Sequence, residues 1–359
     1  MSWCLSAHGR LRALSLCAGA VLLAACQSEP TRAAPPPSYP QQAYPPQQYG
    51  SVPPPTYSNQ AVPPPPTFQG QASAPQPPYQ PAPPANVGAD PINQQNLAWM
   101  RSEASGILSS LVQALPSASQ QRVLGIPLVF DDAVGEVNAF AACDSGRSLM
   151  AISDGLLEIG GWLAQAQAHD SIFGTRKADE YIAFVARYQK PDQPIVRPPA
   201  DFFPNAQQFD PRKVALQHQV FDELVAFVLG HELAHHHLGH LPCTGSSGPL
   251  GSGDIARVLS STIPLLNQPN ELTADWEGTK NVLAAGTRRP AGQAQWTENG
   301  GLLMMRFFSG MDGQSPLDIV FAFERSHPPP ALRIPLIQQS AYYWRTTGGV
   351  GLPAPRIGG

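Results

Sequence analysis

The sequence predicts an α+β domain, mostly helical with a small antiparallel β-sheet or hairpin, preceded by a disordered Pro-rich tether. Three observations carry this expectation. Apolar residues recur at helical spacing over several long stretches, three short strand-like runs gather between residues 126 and 152, and 20 Pro fall in the 55 residues from Pro30 to Pro84. The whole chain has 359 residues, 41 of them Pro, with 42% hydrophobic, 13% charged and a formal net charge of -4. That balance argues against nucleic acid as a partner, because phosphate binding needs a basic surface.

The N-terminal 25 residues read as a targeting segment. Arg10 and Arg12 precede the apolar run Ala13 to Ala25, which is well short of the roughly 20 residues that span a bilayer as a helix. The run ends in Leu23-Ala24-Ala25-Cys26 and resembles a bacterial lipoprotein signal, cut before Cys26. Acyl chains on Cys26 would anchor the protein to the lipid bilayer. Gln27, rather than Asp, follows; by resemblance to enterobacterial lipoproteins this favours the outer membrane, facing the periplasm. Residues 26–91 then form the lipidated Cys and its linker, whose Pro, Gln, Tyr, Ser and Ala hold too little apolar surface to offset chain entropy and stay extended. Residues 92–359 are long enough for one domain with a substantial core.

Within that domain a helix is predicted over about 93–115, closed by Pro116. Strand-like runs follow near 126–130, 137–142 and 147–152, the last two joined by Asp144-Ser145-Gly146 in the manner of a hairpin. Helices are predicted after Ser153 and over about 176–189. The stretch 191–211 holds six Pro and is predicted to be an ordered, irregular loop. Asp210-Pro211 starts the next helix, with Asp as N-cap and Pro where its missing N–H costs nothing. Apolar residues from Val214 to Val228 keep helical spacing, and Gly239 is a natural stop.

That helix ends in His231-Glu232-Leu233-Ala234-His235-His236-His237-Leu238-Gly239-His240. Positions i and i+4 stack on one face, so His231 and His235 can reach one ion while Glu232 points alongside toward a bound water. A catalytic Zn²⁺ takes three protein ligands and keeps one position open. His236 and His237 are expected to be bystanders. A third histidine six residues after His235 is missing, since Leu241 stands there and Gly239 and His240 are out of register. The better candidate is Glu271 in Asn270-Glu271-Leu272-Thr273-Ala274-Asp275, on a helix capped by Asn270 and stopped at Gly286. Glu271 and Asp275 share a face there; the first is placed to ligate the ion and the second to hold a ligand imidazole by its other nitrogen.

His-Glu-Leu-Ala-His with His240 five residues on, Glu271-x-x-Ala274-Asp275, and Ser326-His327-Pro328 followed by Arg333-Ile334 together resemble the HtpX-like and BepA-like gluzincin peptidases of family M-forty-eight. Val137-Asn138-Ala139-Phe140 and Ser153-Asp154-Gly155-Leu156-Leu157 are similar to that family's strand and following helix start. The likeness covers about residues 125 to 340. It implies a zincin-type fold, with one Zn²⁺ on His231, His235 and Glu271, Glu232 as general base and Asp275 in support. It further implies that His327 occupies the fourth zinc position in a latent state, and that Arg333 steadies the transition-state oxyanion. No tandem 34-residue repeat accompanies these motifs.

The function expected is a zinc metalloendopeptidase of the cell envelope, acting on unfolded or extended envelope proteins that add to an edge strand near Asn138 to Phe140. Two rivals stand beside it: a zinc-binding assembly factor with little proteolysis, and a hydrolase of cell-wall peptide. Beyond the signal and Cys26 the remaining cysteines are Cys143 and Cys243. An oxidising compartment makes their disulfide the expectation.

Overall fold

Asp210 ends an irregular loop and starts the helix on which the rest of the domain is built. In the computed structural model its carboxylate accepts the Arg212 N–H at 2.9 Å, and Pro211 takes the first helical position. The description covers residues 89–144, 146–190, 193–243, 268–311 and 327–349. The predicted signal, Cys26, the tether as far as residue 88 and the Gly/Ser-rich stretch 244–253 lie outside the described residues.

Two helices open the domain, α1 (Leu97–Ala114) and α2 (Ser117–Val123), followed by β1 (Leu128–Asp131), β2 (Ala139–Asp144) and β3 (Arg147–Ser153). Next come α3 (Asp154–Phe173), α4 (Lys177–Tyr188), a single turn α5 (Asn205–Gln208) and the long α6 (Pro211–His237). The last three are α7 (Gln268–Gly286), α8 (Asn299–Met311) and α9 (Pro330–Thr347). Among the described residues the class is α+β, mostly helical with one small sheet. No helix among the described residues is long and apolar enough to cross a membrane.

Every residue of α6 from Val220 to His237 is buried. A helix covered on all sides is a core element, and α1, α3, α7, α8 and β2 pack around it. Phe221, Leu224, Phe227 and Leu229 fill the same core as Leu157, Leu163, Met305 and Phe307. The histidine motif therefore sits at the end of the most enclosed helix of the fold.

The sheet order is β1-β3-β2, with β1 parallel to β3 and β2 antiparallel to it. The antiparallel pairing of β2 and β3 is as expected, and the parallel β1 makes the sheet mixed instead of antiparallel. Apolar alternation marks a strand without naming its neighbour; here β2 crosses to the far side of β3 before the turn returns the chain between the other two. β2 is left at an edge. Ser153 N–H donates to Asn138 O at 2.9 Å, and the Ser153 hydroxyl accepts from Asn138 N at 2.9 Å and Leu156 N at 3.2 Å. One side chain thus ties β2 to the start of α3.

Other boundaries moved. α1 begins at Leu97 rather than near 93, because the Asp90 carboxylate accepts the N–H groups of Ile92 and Asn93, both at 3.0 Å, and winds 91–95 into a turn before the Asn96 cap. α7 starts at Gln268, so Asn270 lies inside that helix and does not cap it. The short α2, together with α8 and α9, was not anticipated.

Cys143 on β2 and Cys243, just beyond α6, are disulfide-bonded with Cα atoms 5.7 Å apart and a sequence separation of 100. The bridge fastens the segment after α6 to the edge strand. Ser148 on β3 adds a hydroxyl contact of 3.3 Å to the Cys243 sulfur.

Candidate metal centre

Two glycines set how near α6 and α7 come. A Cβ on Gly278 would lie 2.9 Å from the His231 N atom, and one on Gly230 would lie 3.2 Å from the Gly278 carbonyl oxygen. With no side chain on either, the helix backbones touch. The α7 carboxylates are thereby brought against the α6 imidazoles.

His231, His235, Glu271 and His327 each offer one ligand atom, and these atoms lie within 4.8 Å of one another. His231 Nε2 is 3.3 Å from Glu271 Oε2, and His235 Nε2 is 3.5 Å from Glu271 Oε1. His327 Nε2 lies 3.2 Å from Glu271 Oε2 and 3.7 Å from Glu232 Oε1. The first three are at most 1% exposed. The group could bind a metal ion.

The fit can be tested on the donors themselves. Nε2 of His231 and Nε2 of His235 stand 3.1 Å apart, both facing the cluster; two lone pairs at that distance repel unless a proton or a cation lies between them. Among the described residues no hydrogen-bond donor is assigned to the buried carboxylate oxygens of Glu271 or to Oε1 of Glu232. Unsatisfied buried carboxylate oxygens are costly. A cation would satisfy all of these atoms at once, and a nitrogen and oxygen donor set suits a divalent transition ion.

Behind the cluster the supports are conventional hydrogen bonds. Asp275 Oδ1 is 2.9 Å from His231 Nδ1, and Arg333 Nε and Nη2 donate to the two Asp275 oxygens at 2.8 and 2.7 Å. Arg333 is 2% exposed. Burial alone would raise the Asp275 pKa, but the Arg333 guanidinium and His231 hold it well below the usual carboxylate range. Burial would lower His231, yet Asp275 and Glu271 raise it to about 9. Arg333, expected to face a reacting oxyanion, places its Nε and Nη2 on Asp275, behind His231.

Glu232 approaches the edge strand. Its Oε2 accepts the Ala141 N–H at 2.8 Å, which leaves Oε1 toward His327. Burial pushes Glu232 up to about 8, with the Glu271 charge adding to the rise and His231 and the Ala141 N–H opposing it. Because Asn138 pairs with β3, the alternating pattern turns the backbone groups of Ala139 and Ala141 outward. The outward edge is therefore set by Ala139 and Ala141, with the Ala141 N–H taken by Glu232, and Phe140 bonds inward.

The neighbouring histidines are buried, not solvated. His236 Nε2 meets the Leu149 carbonyl oxygen at 3.0 Å, and the His237 carbonyl accepts from Arg122 at 2.9 Å. Neither belongs to the cluster. His240, set aside as a ligand by its register, touches the centre differently: its Nδ1 lies 3.0 Å from Nδ1 of His235. The signal that could have found it is the Gly239-His240 pair closing the helix. Gly230 and Gly278 were also missed, since spacing alone does not show which glycines face each other.

Comparison with family models, with curated proteins and with solved structures finds no match for this chain.

Proposed function

We propose that the protein is a zinc-dependent metalloendopeptidase of the bacterial cell envelope, tethered to lipid through acylated Cys26 and acting on unfolded or extended envelope proteins. One observation carries this reading: His231, His235 and Glu271 converge from two helices with Glu232 beside them and an edge strand alongside. The likeness of the motifs to the HtpX-like and BepA-like peptidases, and so to a zincin-type fold, supports it.

Zn²⁺ held by His231, His235 and Glu271 would polarise a scissile carbonyl and bring the pKa of water to roughly 7. Glu232 would take the proton of the attacking water on Oε1 and hand it to the leaving amine. Its other oxygen stays fixed by Ala141. Asp275 keeps His231 oriented, and Arg333 keeps Asp275 ionised. The outward groups of Ala139 and the Ala141 carbonyl would align the substrate backbone with little sequence selectivity, while the Ala141 N–H stays with Glu232.

His327 favours a second reading. A fourth protein donor closes a zinc site, which is the arrangement of structural rather than catalytic centres. Either His327 must withdraw before turnover, as in a latent peptidase, or the centre serves a non-catalytic assembly factor. The deciding experiment measures hydrolysis of unfolded casein and of muropeptides by the full chain, with metal content, before and after chelation. Chelator-sensitive cleavage of casein alone supports the peptidase, and cleavage of muropeptides alone supports the cell-wall reading. A zinc-loaded protein that cleaves neither, with or without His327, points to the assembly factor.

A further inference from the structure

α6 closes with a turn of defined geometry. Gly239 has φ 77, its N–H donates to the His236 carbonyl at 3.1 Å, and the His240 N–H donates to the His235 carbonyl at 3.0 Å. That pair of bonds is the Schellman motif, in which the second residue past the cap folds back onto the residue five before it. The side chains at those two positions ordinarily make an apolar contact. Here they are His240 and His235, and the contact is a hydrogen bond between two Nδ1 atoms at 3.0 Å, with ring centroids 5.1 Å apart.

From this contact we propose that His240 is the positioning residue for His235, accepting its Nδ1 proton so that Nε2 is presented to the metal. The inference rests on the metal reading above. If His235 binds through Nε2, the atom that faces Glu271 and His231, its proton must be on Nδ1. The Nδ1 atom of His240 must then be the acceptor, which places the proton of that ring on Nε2. The two motif ligands thus receive different partners from different elements: a carboxylate from α7 for His231, and a neutral imidazole from the helix's own cap for His235. A carboxylate makes an imidazole more basic and a neutral acceptor does so less, so the two ligands differ in donor strength as well as in orientation. The Cys143–Cys243 bridge, three residues past His240, fixes the backbone of this cap to β2.

The test separates acceptor from packing. His240→Leu restores the apolar contact that such caps ordinarily carry, so the metal-free fold should keep its melting temperature, while the acceptor is lost. His240→Asn keeps an oxygen near the Nδ1 position. Zn²⁺ affinity of the full chain, measured by competition with a chromophoric chelator, should fall about 10- to 100-fold in His240→Leu and recover most of that loss in His240→Asn. Two-bond ¹H–¹⁵N spectra of the zinc-loaded wild type should show His235 protonated on Nδ1. Wild-type affinity in His240→Leu, or zinc on Nδ1 of His235, would overturn the proposal while leaving the metal reading intact. A wild type that binds no Zn²⁺ would overturn both.

Discussion

Asp275 reaches His231 on the ring nitrogen opposite the one that faces Glu271, with Oδ1 2.9 Å from Nδ1, while Arg333 grips both oxygens of the same carboxylate. The three side chains form a buried line leading away from the cluster of His231, His235, Glu271 and His327. Asp275→Asn should weaken Zn²⁺ binding about 10- to 100-fold, the usual consequence of removing a carboxylate behind a ligand histidine. Arg333→Met should act on the fold as well, lowering stability by about 3–5 kcal/mol because the buried Asp275 loses its partner. Chelator competition and urea unfolding measure the two effects separately. A stable Arg333→Met protein would show that the pair contributes nothing to the fold.

Glu232 is the one carboxylate of the cluster with an oxygen fixed by the edge strand. Glu232→Gln keeps an acceptor for Ala141 and removes the base. Casein hydrolysis should drop by about 10²-fold or more, with zinc content unchanged in atomic absorption. Undiminished cleavage would assign the proton transfer elsewhere.

His327 contributes the fourth donor from the segment just before α9. In a latent peptidase His327→Ala should retain zinc on the other three ligands and raise turnover on unfolded protein. If the variant instead loses its zinc and cleaves nothing, the closed four-ligand reading gains.

Away from the cluster, Glu223 on α6 accepts from Thr297 and Gln219, yet burial pushes its carboxyl up from 4.5 to about 7. Between those values the folded state holds a proton that the unfolded state has released, so stability falls as pH rises through this window. The full difference, at one pKa unit per 1.36 kcal/mol, is about 3 kcal/mol above pH 7. Glu223→Gln should remove that part of the slope, leaving the contributions of Asp222, raised to about 6, and of Glu232, raised to about 8, both chiefly by burial. Urea titrations at pH 5 and pH 8 check it; an unaltered slope would mean that Glu223 stays ionised in the fold.

The disulfide closes a separation of 100 residues, for which loop entropy gives about 4–5 kcal/mol as an upper figure. Cys143→Ser with Cys243→Ser should lower unfolding free energy by roughly 2–4 kcal/mol. Thiol titration of the oxidised chain should find neither of these sulfhydryls; finding both would reject the bridge.

The helices carrying ligands were legible because their signals are local. Asp210-Pro211 and Gly239 mark the ends of α6, and the i, i+4 pairs His231/His235 and Glu271/Asp275 fix which side chains share a face. α9 was hidden by Pro328-Pro329-Pro330 at its start and Pro335 within it, residues that ordinarily argue against a helix. Pro330 is tolerated because a first-turn N–H has no partner in any case.

Which side chains share a face, the pair His231 and His235 and the acidic pair 40 residues on, was determined by the sequence by itself, since helical geometry turns spacing into a shared face. Which strand neighbours which, that Gly230 meets Gly278, that Arg333 turns to Asp275, and that His240 folds under His235 were decided only by tertiary structure. Those are contacts between surfaces remote in sequence or set by one left-handed residue. Their energies depend on what the rest of the chain leaves room for.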